Sequence, residues 1–132
     1  MKNTFLFTEA LIDGHWVPGN GGGTFPVSNP ANGSHIADVA DCGAEEAIAA
    51  VEAADRAFPA WAATPAPERS KLLRKWQELL VANVDELAAL LTAEMGKPLA
   101  EAKGEILYGA AYLEWFAEEA KRVYGDVIPS HA

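Results

Sequence analysis

Three observations predict a mostly α-helical chain with short β-strands at its start. The first forty residues interleave β-forming residues with turn dipeptides. From Gly43 onward the apolar residues recur at steps of three and four, the period of a helix. Pro67, Gly96, Pro98 and Gly125 then fall where helices begin and end.

Each element follows from local chemistry. Leu11-Ile12-Asp13-Gly14-His15-Trp16-Val17 sets β-formers around Asp-Gly, a hairpin dipeptide. Gly19 to Gly23 is a flexible turn. Phe25-Pro26-Val27-Ser28-Asn29-Pro30 is extended, because residues before proline avoid the α region. Ala31-Asn32-Gly33-Ser34 turns again, and His35 to Ala40 alternates as a third strand. These strands are short and need a neighbouring layer to be stable.

The first helix opens with Glu45 and Glu46 at the positive end of its dipole. Ile48, Val51, Ala54 and Phe58 mark its apolar face, and Pro59 is expected to end or bend it near Trp61. The second opens at Pro67-Glu68, with Leu72, Leu73, Trp76, Leu79 and Leu80 as its buried stripe and Arg74–Glu78 as a surface pair. Asn83-Val84-Asp85-Glu86 reads as a capping box that starts a third helix through Leu87, Leu90 and Leu91. The fourth is expected from Pro98 to about Tyr124, with Ile106, Leu113, Phe116 and Val123 on one face, widened by Tyr108, Tyr112 and Trp115. Glu118 and Arg122 are spaced for a surface pair, Gly125 is a stop signal, and Pro129 lies beyond it.

The composition narrows the function classes. A chain of 132 residues with 50% apolar and 22% charged residues suits one modest core. The formal charge of −9 argues against nucleic acid and anionic membranes as partners, since both require a basic face. No apolar run approaches the ~20 residues of a membrane span, and the start does not read as a signal peptide. The one cysteine, Cys42, excludes an internal disulfide and fits a reducing, cytoplasmic setting. There is no internal repeat, low-complexity tract or linker.

Motifs that could carry chemistry fail on inspection. Gly96-Lys97 is no phosphate loop: a Walker motif requires glycine where Leu91 stands and a hydroxyl where Pro98 stands. The pair instead joins two helices, Gly96 closing one in the left-handed conformation and Pro98 starting the next. The glycines at 19 to 23 lack the dinucleotide fingerprint, because position 24 is threonine and Phe25-Pro26 forbids the helix that must follow. His15, His35 and His131 are too scattered for a metal site. Cys42 sits beside Asp41 with no adjacent base, so it reads as structural. The residues alone describe a helix-rich domain without an active site.

The order and spacing of these motifs carry a resemblance. Leu11 to Val17, Phe25 to Pro30, the Glu-rich helix to Trp61, Pro67-Glu68-Arg69 and Glu94-Met95-Gly96-Lys97-Pro98 resemble the aldehyde dehydrogenase superfamily from about Leu11 to Pro129. Gly96 to Ile106, followed by Glu114-Trp115-Phe116-Ala117-Glu118-Glu119-Ala120-Lys121-Arg122, is similar to its succinate-semialdehyde branch. The resemblance implies an α/β family fold of which residues 1–132 form a single incomplete domain, with strands in about 11–40 and helices in about 44–125. It also implies NAD or NADP as cofactor, a small aldehyde substrate and assembly into homo-oligomers for the intact enzyme.

The family's nucleophilic cysteine, general-base glutamate, oxyanion-hole asparagine and cofactor glycines correspond to positions beyond Ala132. No catalytic or cofactor-binding residue is therefore assigned here, and this chain alone is expected to be inactive. Two carry-overs remain. Backbone oxygens of Val27 and Ser28 with the Glu94 carboxylate match a monovalent-cation site, a chemically apt set of hard oxygen ligands. Tyr108 matches a position facing the aldehyde tunnel, and its alternative is packing in the core. A reading of a different class is a free-standing, non-catalytic helical protein that binds a partner through the same apolar stripes.

Overall fold

The computed structural model describes residues 3–130, so His131 lies outside the described residues. Four strands precede four helices. The strands form two separate two-stranded antiparallel ladders rather than one sheet. β1 (Ala10–Ile12) pairs with β2 (His15–Val17), with Leu11 opposite Trp16. The connecting Asp13 and Gly14 have φ of 51° and 78°, the double left-handed step of a type I′ hairpin, which glycine tolerates best. Phe7 stacks on Trp16 with ring centroids 4.4 Å apart, covering one side of this ribbon. β3 (Thr24–Ser28) pairs with β4 (His35–Ala40), and the register breaks between Val27 and Ser28. Pro26 is tolerated in β3 because a two-stranded ladder leaves one edge free.

The start of α1 (Ala44–Ala63) is tied to the strands through two carboxylates. Glu46 accepts the Gly43 N–H at 2.7 Å, the glutamate half of a capping box, and the Asn20 N–H at 2.5 Å. Glu45 accepts from the Asn20 side-chain amide. Arg56, further along the helix, reaches Asp13 of the hairpin turn at 3.4 Å. Pro59 does not stop this helix, which continues four residues past it to Ala63. It ends at Thr64, whose hydroxyl donates to the Ala60 carbonyl at 3.0 Å.

α2 (Ala66–Ala82) and α3 (Val84–Met95) are separated by Asn83 alone. The expected Asn83–Glu86 capping box is absent. Asn83 has φ −114° and ψ 19°, not the extended conformation of an N-cap, and its amide donates backward to the Leu79 carbonyl at 2.7 Å. Glu86 serves the chain start instead: its carbonyl accepts from the Asn3 amide at 2.9 Å and its carboxylate from Thr4.

The Gly96-Lys97-Pro98 joint forms as expected. Gly96 is left-handed at φ 79° and its N–H donates to the Thr92 carbonyl at 2.9 Å; Pro98 then precedes α4 (Leu99–Glu119). α4 stops short of the expected Tyr124. The amides of Lys121 and Arg122 bond three residues back, tightening the chain, and Val123 and Tyr124 are more than 80% exposed. With nothing to pack on, another helical turn gains no burial.

α4 is the centre of the helical layer, lying most extensively against α2 and then α3. Small residues make these contacts: Ala88, Ala102, Ala110 and Ala117 are buried, as is Ser70. Ala53, Ile36 and Ala37 complete the buried set. The apolar stripes assigned from periodicity divide: Leu73 and Leu80 of α2, Leu87, Leu90 and Leu91 of α3, and Ile106 and Leu113 of α4 are half-buried, while other members face outward. Ile48, Val51 and Phe58 of α1 are exposed, and so are Leu72, Trp76 and Leu79 of α2, with Leu72 and Trp76 each 56% exposed. Ala53, not Ala54, is the buried alanine of α1. Alanine lets helix axes approach closely, so the faces of small side chains meet and several bulky ones are left on the outside.

Two surface pairs also differ from expectation. Arg74 bonds Glu118 and lies 3.5 Å from Glu114, both on α4, rather than pairing with Glu78. Arg122 pairs with Glu119 at 2.5 Å, while Glu118 takes Arg74 and Lys121. Arg74 takes cross-helix partners because α2 and α4 pack closely, whereas Arg122 takes a neighbour three residues back.

Candidate functional site

The outer side of α4 carries an aromatic hollow of about 310 Å³, lined by Tyr108, Ala111, Tyr112, Trp115 and Phe116. Helical geometry accounts for the cluster: residues 108, 112, 115 and 116 recur at steps of three and four and share one side. The opposite side holds buried Ala102, Ala110 and Ala117. Tyr108 is 64% exposed, so it does not pack in a core within this chain. Its hydroxyl lies 2.7 Å from that of Tyr112, and the two rings meet edge to face at 5.0 Å. The hydrogen bond to Tyr112 raises the Tyr108 phenol above its ordinary value. Sequence reasoning missed Tyr112 as Tyr108's partner by assigning it to a core stripe, although the four-residue spacing was visible.

The chemistry of such a face is restricted. Aromatic rings offer apolar area to a short aliphatic chain, and the paired hydroxyls offer a donor and acceptor to an oxygen. The described side chains here include no base or thiol able to act as a nucleophile.

The three residues of the candidate cation site lie on two elements, β3 and α3. Val27 is half-buried and Ser28 exposed, at the irregular end of β3, and Glu94 is exposed in the last turn of α3. The turn after β3 touches the helix joint: a Cβ added to Gly96 would lie 3.1 Å from Pro30 Cγ. Lys97, beside it, is engaged by Glu105 of α4. Among the described residues, no group of three His, Cys, Asp or Glu side chains could hold a metal ion. Cys42 is exposed and free, at the chain entry to α1.

The loop of Gly19 to Gly23 bends through left-handed Gly19, Gly21 and Gly22 into β3, with no helix after it, so the residues present do not fit a dinucleotide pyrophosphate. No helix among the described residues is long and apolar enough to cross a membrane.

The described residues thus comprise two strand ribbons, an alanine-packed helical layer and an aromatic face on α4. The aldehyde dehydrogenase family model matches residues 16–132, and the chain belongs to that family. It is 54% identical over 132 residues to the glutarate-semialdehyde dehydrogenase of Pseudomonas aeruginosa, covering 99% of this chain and 27% of that protein. The NADP(+) succinate-semialdehyde dehydrogenase of Escherichia coli shares 54% identity over 132 residues, with the same two coverages. A crystal structure of an E. coli NADP-dependent enzyme superposes with a TM-score of 0.91 at 54% identity, covering 95% of this chain and 26% of that one. The chain thus spans about a quarter of the length of these relatives, matching an N-terminal part of them.

Proposed function

We propose that residues 1–132 are the N-terminal portion of an NAD(P)-dependent aldehyde dehydrogenase that oxidises succinate semialdehyde to succinate. The observation that carries this reading is identity to semialdehyde dehydrogenases across the whole chain, with the helix joint and the aromatic helix included. On this reading the α4 face, with Tyr108 at its centre, forms one wall of the aldehyde tunnel. Its apolar rings suit the methylene chain of the substrate. The catalytic thiolate, the general base and the nicotinamide site belong to polypeptide outside these residues.

The same reading gives Val27, Ser28 and Glu94 a share of a monovalent-cation site. In support, Glu94 stands in the last turn of α3, two residues before Gly96, which meets Pro30. Assembly into a homo-oligomer and a cytoplasmic setting complete the proposal, the latter supported by the free, exposed Cys42.

Purified 1–132 protein incubated with succinic semialdehyde and NADP is expected to form no NADPH. Measurable oxidation by that protein overturns the assignment of the catalytic residues. For the alternative, a free-standing binding protein, a monodisperse species on gel filtration would count in favour. The outward apolar faces of α1 and α2 lead us to expect association instead.

A further inference from the structure

Arg74 is the one cation of α2 that grips α4 at two points. Its Nη1 lies 3.5 Å from Glu114 and its Nη2 bonds Glu118, one helical turn further on. Lys121 holds the other Glu118 oxygen at 2.9 Å. The hydrogen bond from Lys121, and then that from Arg74, lowers the Glu118 carboxyl below its ordinary range.

Ala110 and Ala117 of α4 are buried beneath this clasp, with Leu113 half-buried between them, and small side chains make shallower ridges and fix helix rotation less firmly than bulky ones. With about 100° of turn per residue, Glu114 and Glu118 flank that alanine stripe, and Tyr108, Tyr112, Trp115 and Phe116 fall on the far side. A small rotation of α4 on its alanines would therefore swing the aromatic face through a comparable angle.

We propose that Arg74 is a positioning residue: by holding Glu114 and Glu118 together it sets the rotation and height of α4, and so the direction in which Tyr108 and Tyr112 are presented to the aldehyde. The proposal rests on the reading of that face as a tunnel wall. Guanidinium suits the task because its planar fork reaches two carboxylates at once, which an ammonium does as a single point charge. Each contact is partly exposed and individually weak, so the clasp selects an orientation more than it stabilises the fold.

The test uses the full-length protein that carries this segment. Arg74→Met is expected to raise KM for succinic semialdehyde about fivefold, with kcat and the KM for NADP within about twofold. Arg74→Lys restores part of the loss, and Glu114→Gln with Glu118→Gln reproduces it. In a Tyr108→Ala background, Arg74→Met is expected to add nothing further. An unchanged KM, a parallel loss of kcat and cofactor affinity, or full additivity with Tyr108→Ala overturns the proposal. A 19F label on the Tyr108 ring separates this from failure of the tunnel reading. If Tyr108→Ala leaves aldehyde KM unmoved, the tunnel reading fails. The positioning role then stands or falls on whether Arg74→Met shifts the 19F resonance.

Discussion

The ring of Pro30 lies against Gly96, so close that a Cβ on residue 96 would meet Pro30 Cγ at 3.1 Å. This contact seats the joint between α3 and α4 on the turn that follows β3. Gly96→Ala therefore carries two penalties, a left-handed φ of 79° and a crowded Cβ. The expected cost is about 1–3 kcal/mol, read as a lower urea midpoint at unchanged slope.

Glu46 accepts backbone N–H groups of Gly43 and Asn20, and the Gly43 bond is the main reason its pKa lies below the ordinary 4.5. A carboxyl depressed on folding lends stability that is complete above its unfolded value and is lost as pH falls through the folded one. An NMR titration of the Glu46 carboxyl carbon is expected to show a midpoint below 4.5. Glu46→Gln is expected to make the acid limb of the stability profile shallower, and an unchanged limb refutes the linkage.

The Tyr108 phenol is shifted upward by its hydrogen bond to Tyr112. A raised pKa means that this contact stabilises fully below the unfolded value and is lost as pH rises through the folded one. Difference absorbance at 295 nm should show one tyrosine ionising late, and Tyr112→Phe should bring it back toward the ordinary range. The late-ionising phenol persisting in Tyr112→Phe would exclude the pair as its cause.

Burial by alanine and exposure of leucine and tryptophan reverse the usual sensitivity to substitution. Ala110→Leu, at a position 1% exposed, forces α4 off its neighbours and is expected to cost about 1–3 kcal/mol. Trp76→Ser on the outward face of α2 is expected to change stability by about 0.5 kcal/mol or less, and to reduce light scattering of the purified chain. Comparable losses from the two variants would contradict the packing described.

Much of the fold was legible because its signals are local. Asp13-Gly14 demands a tight hairpin, Gly96 a left-handed close, and Pro98 a fresh start, whatever surrounds them. The placement of Tyr108 on one side of α4 followed from spacing, but its partnership with Tyr112 depended on knowing that this side faces outward. Periodicity shows that a helix has an apolar face; it does not show which neighbour, if any, that face meets.

The sequence by itself determined a start of strands and turns followed by four helices, the joint at Gly96 to Pro98, and the absence of a phosphate loop or dinucleotide fingerprint, since backbone preference acts over a few residues. Only the tertiary structure decided that alanines form the contacts around α4, that Arg74 answers to Glu114 and Glu118 rather than Glu78, and that Glu46 serves both Gly43 and Asn20. Those outcomes depend on how closely whole elements approach. Approach distance is set by side chains far apart in the chain, which no local pattern contains.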